Sequence, residues 1–451
     1  MSGAGQRIVR WTASPGAALK GALRVPGDKS ISHRAIILAS IAQGRSEITG
    51  FLEGDDTRAT AAALAAMGVR IDAPSAQTRV VHGVGLHGLS APAAALDCGN
   101  SGTGMRLLAG LLAGQRFAST LIGDSSLSQR PMRRVIEPLR AMGAQIVARD
   151  DGFAPIEFKP SAGGLHGIDW RLQVASAQVK SCLLLAGLYA SGTTRISEPT
   201  ATRDHTERML RAMGCPVRSF DDGLEVQAPL ALDAQTLTVP ADFSSAAFPL
   251  VAACLVPGSE LVLEGVGVNP RRIGLLRVLE RMGARIELVR PRRVGAEPVA
   301  DLVVRHAPLH GIELPSEWVP DMIDEFPILF VAAAAARGNT VIRGVAELRV
   351  KESDRLAGMS AALRALGIRV DESADGAVIH GGTLKGGVVD ALGDHRIAMA
   401  AVVAGQLAAA PVEIADCANV RTSFPGFLVL AQSIGMGLTD CSAATLRADE
   451  L

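Results

Sequence analysis

Aromatic side chains are scarce in this chain. Of 451 residues, 11 are Phe, three are Trp and one is Tyr. With 48 glycines and 48% hydrophobic residues, the composition suits a turn-rich α/β protein whose helices pack through small side chains. An excess of one charge is missing too. Lys+Arg and Asp+Glu are 45 each, which excludes a broad nucleic-acid or acidic-membrane footprint and makes any basic site local. No apolar run reaches the roughly 18 unbroken residues of a membrane span. Met1–Ser14 has neither a signal-peptide core nor a long transit segment, so a cytoplasmic location is expected. The six cysteines form no C-x-x-C pair, and several sit in apolar runs; they read as buried, reduced thiols. There is no H-E-x-x-H and no Cys/His quartet, and no metal is expected. Gly83-Val-Gly85-Leu-His-Gly88 fits a dinucleotide pattern, but Ser90-Ala-Pro92 follows where a helix should start. Gly27-Asp28-Lys29-Ser30 lacks the glycine spacing of an ATP phosphate loop.

What the chain does have is a repeated phrase. Leu-x-x-Met/Leu-Gly closes at Gly68, Gly143, Gly214, Gly283 and Gly367, and a worn copy, Ala431–Gly435, closes at Gly435. Each reads as the last turn of a helix, with glycine where the chain turns left-handed to leave it. Apolar runs that follow, such as Ala144–Val147, Ala284–Val289 and Ile368–Val370, read as strands. A regular period implies one supersecondary unit copied six times. At this length two or more domains are expected.

About 40 residues before each closing glycine lies a polar cluster ahead of an apolar helical run. The runs are Ile31–Ile41, Met105–Leu112, Val179–Leu188, a stretch behind Asp242–Ser245, Phe326–Ala336 and Ile397–Leu407. A second cluster opens the helix that the phrase closes, so each repeat carries two helices with strands between and after them. Asp55–Arg58, Asp242–Ser245 and Asn269–Arg271 read as simple caps. Capping does not call for Lys29, Arg34, Arg130, Arg203, Lys351, Arg355 or Arg396. A helix N-terminus is the positive end of the dipole, so cations there are unfavourable unless an anion lies between them. Such places bind phosphate or carboxylate. Several of them suggest a small, multiply anionic substrate, and Asp324 and Glu352 in the same frame suit proton transfer. His33 and His395 read as structural hydrogen-bonders.

Seven motifs occur in order: Pro26–Arg34, Gly99–Thr103, Gln129–Met132, Ser176–Gln178, Arg349–Arg355, Asp394–Arg396 and Ser423–Pro425. Together they resemble the EPSP synthase (3-phosphoshikimate 1-carboxyvinyltransferase) family of enolpyruvyl transferases across nearly the whole chain. The resemblance implies an α/β fold of two domains, each of three βαβαββ units around a pseudo-threefold axis, an inside-out α/β barrel. It implies residues 1–26 with 241–451 as one domain, 27–240 as the other, and an active site in the cleft between them. The implied substrates are shikimate 3-phosphate and phosphoenolpyruvate, with no cofactor, no nucleic acid and no membrane, in a monomer. By resemblance Lys29, Ser30, Arg34, Ser176, Ala177, Gln178, Arg203, Asp324 and Lys351 hold shikimate 3-phosphate. Lys29, Gly102, Arg130, Gln178, Arg355 and Arg396 hold phosphoenolpyruvate. Asp324 takes the proton of the 5-hydroxyl, and Glu352, with Lys29, passes protons to and from the methylene carbon. Gly102 leaves room for the phosphoenolpyruvate mimic glyphosate.

Two positions depart from the family pattern. Arg421 stands near the place of a lysine usual before the C-terminal Phe-Pro, and Leu107 stands where many members have proline. Two other readings compete. UDP-N-acetylglucosamine enolpyruvyl transferases share the expected fold but usually carry a cysteine in the second repeat, and Leu107–Arg130 has none. A non-catalytic anion-binding protein would gain nothing from Asp324 and Glu352.

Overall fold

A glycine behind a buried residue ends six helices in one way. The computed structural model describes residues 9–442. It contains twelve α-helices among those residues: α1 Lys29–Ser40, α2 Asp55–Ala66, α3 Gly102–Ala113, α4 Arg133–Ala141, α5 Ala177–Gly187 and α6 His205–Ala212. Then follow α7 Phe243–Leu255, α8 Gly274–Arg281, α9 Phe326–Ala335, α10 Arg355–Ala365, α11 His395–Gly405 and α12 Phe427–Ser433. Every even-numbered helix ends in the repeated phrase. The six glycines have φ between +82° and +98°, where a Cβ would be strained. The next residue's N–H returns to the carbonyl of the phrase's first residue at 2.9–3.2 Å, in the worn copy as well (Met436 to Ala431). This closes the helix and leaves the first residue's side chain in the core.

The odd-numbered helices are buried on nearly all sides. Every residue of α7 is buried, and so are Phe326–Ala334 of α9. They pack on one another: α7, α9 and α11 mutually, and α3 against both α1 and α5. Small residues permit this. A Cβ at Gly110 would lie 2.2 Å from the Cys182 carbonyl, so α3 and α5 touch backbone to backbone.

Each repeat has one sheet of three or four strands, and Leu165–His166 with Ala190–Ser191 adds a two-stranded one in the third. In the second repeat Leu96–Asp97 pairs in parallel with Ser119–Ile122. That strand pairs antiparallel with Phe153–Lys159, which pairs with Gln145–Arg149. With α3 and α4 between them this is βαβαββ. The first repeat borrows its leading strand, Thr236–Thr238, from the end of the third. The N-terminal segment gives two strands to the terminal part of the chain. Lys20–Leu23 leads the fourth repeat beside Glu260–Gly267, and Trp11–Ser14 lies between Val412–Ala415 and Gly437–Asp440 in the sixth.

The chain divides into two compact units. A middle unit holds Gly27–Pro240 and the hairpin tip Arg293–Pro298. A terminal unit holds the chain up to Pro26, Ala241–Arg292 and the chain from Val299. No helix among the described residues is long and apolar enough to cross a membrane.

Cys98, Cys182, Cys215, Cys254 and Cys417 are buried and free, and Cys441 is half-buried. Burial pushes the Cys254 thiol up to about 12 and that of Cys215 to about 11. A thiol reagent near pH 8 is therefore expected to label at most Cys441 in the folded protein, counted by mass spectrometry. Rapid labelling of a second cysteine would contradict the buried placement.

Candidate active site

In the middle unit three helix N-termini carry the sequence motifs. Asp28 caps α1, its carboxylate accepting from Ile31 N–H at 2.8 Å. Lys29, the first residue of α1, reaches Asp56 Oδ2 at 3.0 Å. Asp55–Arg58 is therefore more than the cap expected of it. Gly54 is the N-cap of α2, and Asp56 in its first turn is the partner of Lys29. Arg34 is buried and donates to Thr206 Oγ1 at 2.7 Å, Ser181 Oγ at 2.8 Å and the Ser30 carbonyl at 2.9 Å. Burial pulls its guanidinium down to about 10, and Arg203 pushes the same way against Glu207, Asp28 and Glu297. Arg34 thus bonds neutral oxygens while a second arginine repels it. An anion placed there would lower the energy of both.

Ser176 caps α5, accepting from Val179 N–H, and Ala177 is the first residue of that helix. Gln178 donates to Thr103 Oγ1 at 2.9 Å and accepts from Arg106 Nη1 at 3.0 Å. Arg106, four residues beyond Gly102, also reaches the Gly102 carbonyl at 3.2 Å. Arg130 donates to Asn100 Oδ1 at 2.6 Å. A Cβ at Gly102 would lie 2.9 Å from Arg106 Nη1 and 3.2 Å from Arg130 Nη1, so the glycine keeps two guanidinium groups in place. Lys180 is fully buried between Glu198 at 2.9 Å and Glu207 at 2.8 Å and also donates to the Thr202 carbonyl at 3.2 Å. It ties α5 to the segment that carries Arg203. Although burial works against its charge, the two glutamates raise the Lys180 pKa. His33 is structural, as expected. Its Nδ1 bonds Thr60 Oγ1 at 2.9 Å, and burial with Lys29 and Arg34 nearby holds its pKa well below the usual range.

The terminal unit gathers both carboxylates and three of the expected cations. Asp324 Oδ1 lies 3.4 Å from Lys351 Nζ and 3.6 Å from Arg355 Nη1. Arg355 meets Glu352 Oε2 at 2.6 Å and Asp394 Oδ2 at 2.8 Å. Asp394 caps α11, accepting from Arg396 N–H at 2.8 Å. Burial raises the Asp394 carboxyl, but Arg355 and then His395 more than offset this and hold it below the usual carboxylate range. Arg396 donates to the Asp324 carbonyl at 2.8 Å and to Ser244 Oγ at 3.0 Å. The cations at this end thus have carboxylates of the protein itself beside them, where the sequence argument invoked only a bound anion.

Two further expectations are corrected here. Asn269 accepts from Arg271 N–H in a turn, while α8 starts at Gly274 with no side-chain cap. Arg272, in the same stretch, is buried against Glu325 at 2.9 Å and Asp242 at 3.1 Å. Asp242 does cap α7, yet it also holds this arginine. Arg421 lies exposed in the 3-10 turn Ala418–Thr422. Leu107 is buried in α3 and packs in the middle-unit core. Among the described residues no group of three or more His, Cys, Asp or Glu could hold a metal ion.

Known proteins give the arrangement a context. The family model of EPSP synthase (3-phosphoshikimate 1-carboxyvinyltransferase) matches residues 13–429. A 3-phosphoshikimate 1-carboxyvinyltransferase of Xanthomonas euvesicatoria is 60% identical over 428 residues, 95% of this chain and 97% of that protein. Its counterpart in Xanthomonas campestris is 59% identical over 429 residues, covering 95% and 98%. The structure of EPSP synthase from Acinetobacter baumannii superposes with a TM-score of 0.86 at 46% identity, covering 96% of this chain and 99% of that one. The enolpyruvyl transferase NikO from Streptomyces tendae shares the fold, with a TM-score of 0.78 at 18% identity and coverage of 96% and 99%.

Proposed function

The chain belongs to the EPSP synthase family and transfers the enolpyruvyl group of phosphoenolpyruvate to the 5-hydroxyl of shikimate 3-phosphate, and we propose that Asp324, Glu352 and Lys29 carry the proton transfers. The products are 5-enolpyruvylshikimate 3-phosphate and phosphate. The related UDP-N-acetylglucosamine reading and the non-catalytic reading are not favoured, because relatives 60% identical to this chain bear this enzyme's name.

The observation that carries the assignment of roles is Asp324 set between Lys351 and Arg355. A carboxylate there can take the proton of the 5-hydroxyl while the cations offset the charges of the substrates. In our reading Glu352, assisted by Lys29, protonates the methylene carbon of phosphoenolpyruvate as the hydroxyl oxygen attacks the adjacent carbon. A tetrahedral adduct results. Loss of a proton from its new methyl group then restores the double bond as the C–O bond to phosphate breaks. Lys29, Ser30, Arg34, Ser176, Ala177, Gln178, Arg203 and Lys351, with Asp324, hold shikimate 3-phosphate, the Arg34–Arg203 repulsion being relieved by its phosphate. Lys29, Gly102, Arg130, Gln178, Arg355 and Arg396 hold phosphoenolpyruvate. The enzyme acts as a cytoplasmic monomer. Mixing both substrates should release phosphate; release with UDP-N-acetylglucosamine but not with shikimate 3-phosphate would overturn the assignment.

Glyphosate is expected to compete with phosphoenolpyruvate at Gly102. The methyl of Gly102→Ala would meet the guanidinium tips of Arg106 and Arg130, which must shift to admit it, so half-inhibition should need more glyphosate than in the parent. Inhibition curves that coincide for the two forms would dispose of this.

A further inference from the structure

One hydroxyl in the terminal unit lies among four charged groups that the proposed mechanism uses only in part. Ser244, in the first turn of α7, accepts from Arg272 Nη2 at 2.6 Å and from Arg396 Nη1 at 3.0 Å. A serine hydroxyl has one proton and two acceptor sites. With both acceptor sites taken by guanidinium groups, its proton goes to Glu325 Oε1, which it contacts. Arg272 also donates to that Glu325 oxygen at 2.9 Å and to Asp242 Oδ1 at 3.1 Å. The Arg272, Glu325 and Asp242 side chains are 5%, 0% and 7% exposed. The direction of the hydroxyl is therefore set from inside the core, and one lone pair is left for Arg396. Arg396 also donates to the carbonyl of Asp324 and lies 3.7 Å from Glu325 Oε1, so its orientation, the backbone of Asp324 and the buried Glu325 carboxylate are linked.

We infer that Ser244 is a positioning residue for Arg396: oriented by Arg272 and Glu325, its hydroxyl holds the guanidinium in the direction that receives phosphoenolpyruvate. The inference rests on the reading of Arg396 as a phosphoenolpyruvate ligand. Arg272 and Glu325 serve in it as the frame that fixes Ser244 and touch no substrate.

Steady-state kinetics of Ser244→Ala, Ser244→Thr, Arg396→Lys and the Ser244→Ala/Arg396→Lys double variant test it, with thermal melting as a control on folding. Losing one hydrogen bond to a charged group should raise KM for phosphoenolpyruvate about tenfold in Ser244→Ala, with KM for shikimate 3-phosphate and kcat within about threefold of the parent. Ser244→Thr keeps the hydroxyl and should restore most of the affinity. The double variant should be no worse than Arg396→Lys alone, because the two changes remove one interaction. An unchanged KM for phosphoenolpyruvate in Ser244→Ala, while Arg396→Lys raises it, overturns the positioning role alone. A parallel rise of both KM values with lowered melting does the same, since it marks general damage. An unchanged KM in Arg396→Lys overturns the ligand reading and the inference with it.

Discussion

Asp324→Asn is expected to lower kcat by about two to four orders of magnitude and to leave KM for shikimate 3-phosphate within about threefold. The substitution keeps shape and one acceptor oxygen but cannot take up a proton. That oxygen can still face Lys351 and Arg355, which lie 3.4 Å and 3.6 Å from the native carboxylate. Position is preserved for a second reason. The Arg396 guanidinium holds the backbone carbonyl of Asp324, so the residue is anchored independently of its side-chain charge. Binding and catalysis can thus separate at this position. Turnover equal to that of the parent would refute the base role and leave Asp324 with its binding role alone.

The helix ends were legible where the chemistry is local. The glycine of each phrase needs a positive φ, and the bond that follows spans only five residues, so the motif can be read without knowing the fold. Starts of the buried helices were also legible, because Asp28, Ser101, Ser176, Asp242 and Asp394 cap them through their side chains. Starts of several even-numbered helices were not. Ile273 and Gly426, for example, precede α8 and α12 without a side-chain cap, so no capping side chain marks those positions. Misreading Asn269–Arg271 as a simple cap follows from that. The borrowed strands Trp11–Ser14 and Thr236–Thr238 pair with partners too remote for any local pattern to disclose.

The site was legible in its cations and not in what holds them. Lys29, Arg355 and Arg396 stood out because a cation at a helix N-terminus opposes the dipole. Arg272 and Lys180 did not, because their partners are distant in sequence: Arg272 bonds residues 30 and 53 positions away, and Glu198 is 18 residues from Lys180. One signal was available for Lys180. A lysine in a run as apolar as Val179–Leu188 is buried only if paired, so it demands a carboxylate somewhere in the fold. Arg106 had a weaker one, lying one helical turn beyond Gly102 on α3.

Arg130→Ala is expected to weaken phosphoenolpyruvate binding by about 2–5 kcal/mol, measured by equilibrium titration in the presence of shikimate 3-phosphate. Arg130 suits the experiment because of what it touches. It donates to Asn100 Oδ1 at 2.6 Å and to Ser126 Oγ at 3.4 Å, and both of these acceptors can turn to water or to each other once the guanidinium is gone. Truncation there should report on the ligand more than on the fold. Arg355 would not allow that reading. It neutralises Asp394, whose side chain is fully buried, and stranding such a carboxylate costs about 3–5 kcal/mol of stability by itself. Arg130→Lys supplies the graded comparison. It keeps the charge but loses the planar fork that matches a carboxylate or phosphate, so its affinity should fall between those of the parent and the alanine variant. An effect of Arg130→Ala below about 1 kcal/mol would give the residue the value of an exposed ion pair and remove it from the phosphoenolpyruvate site.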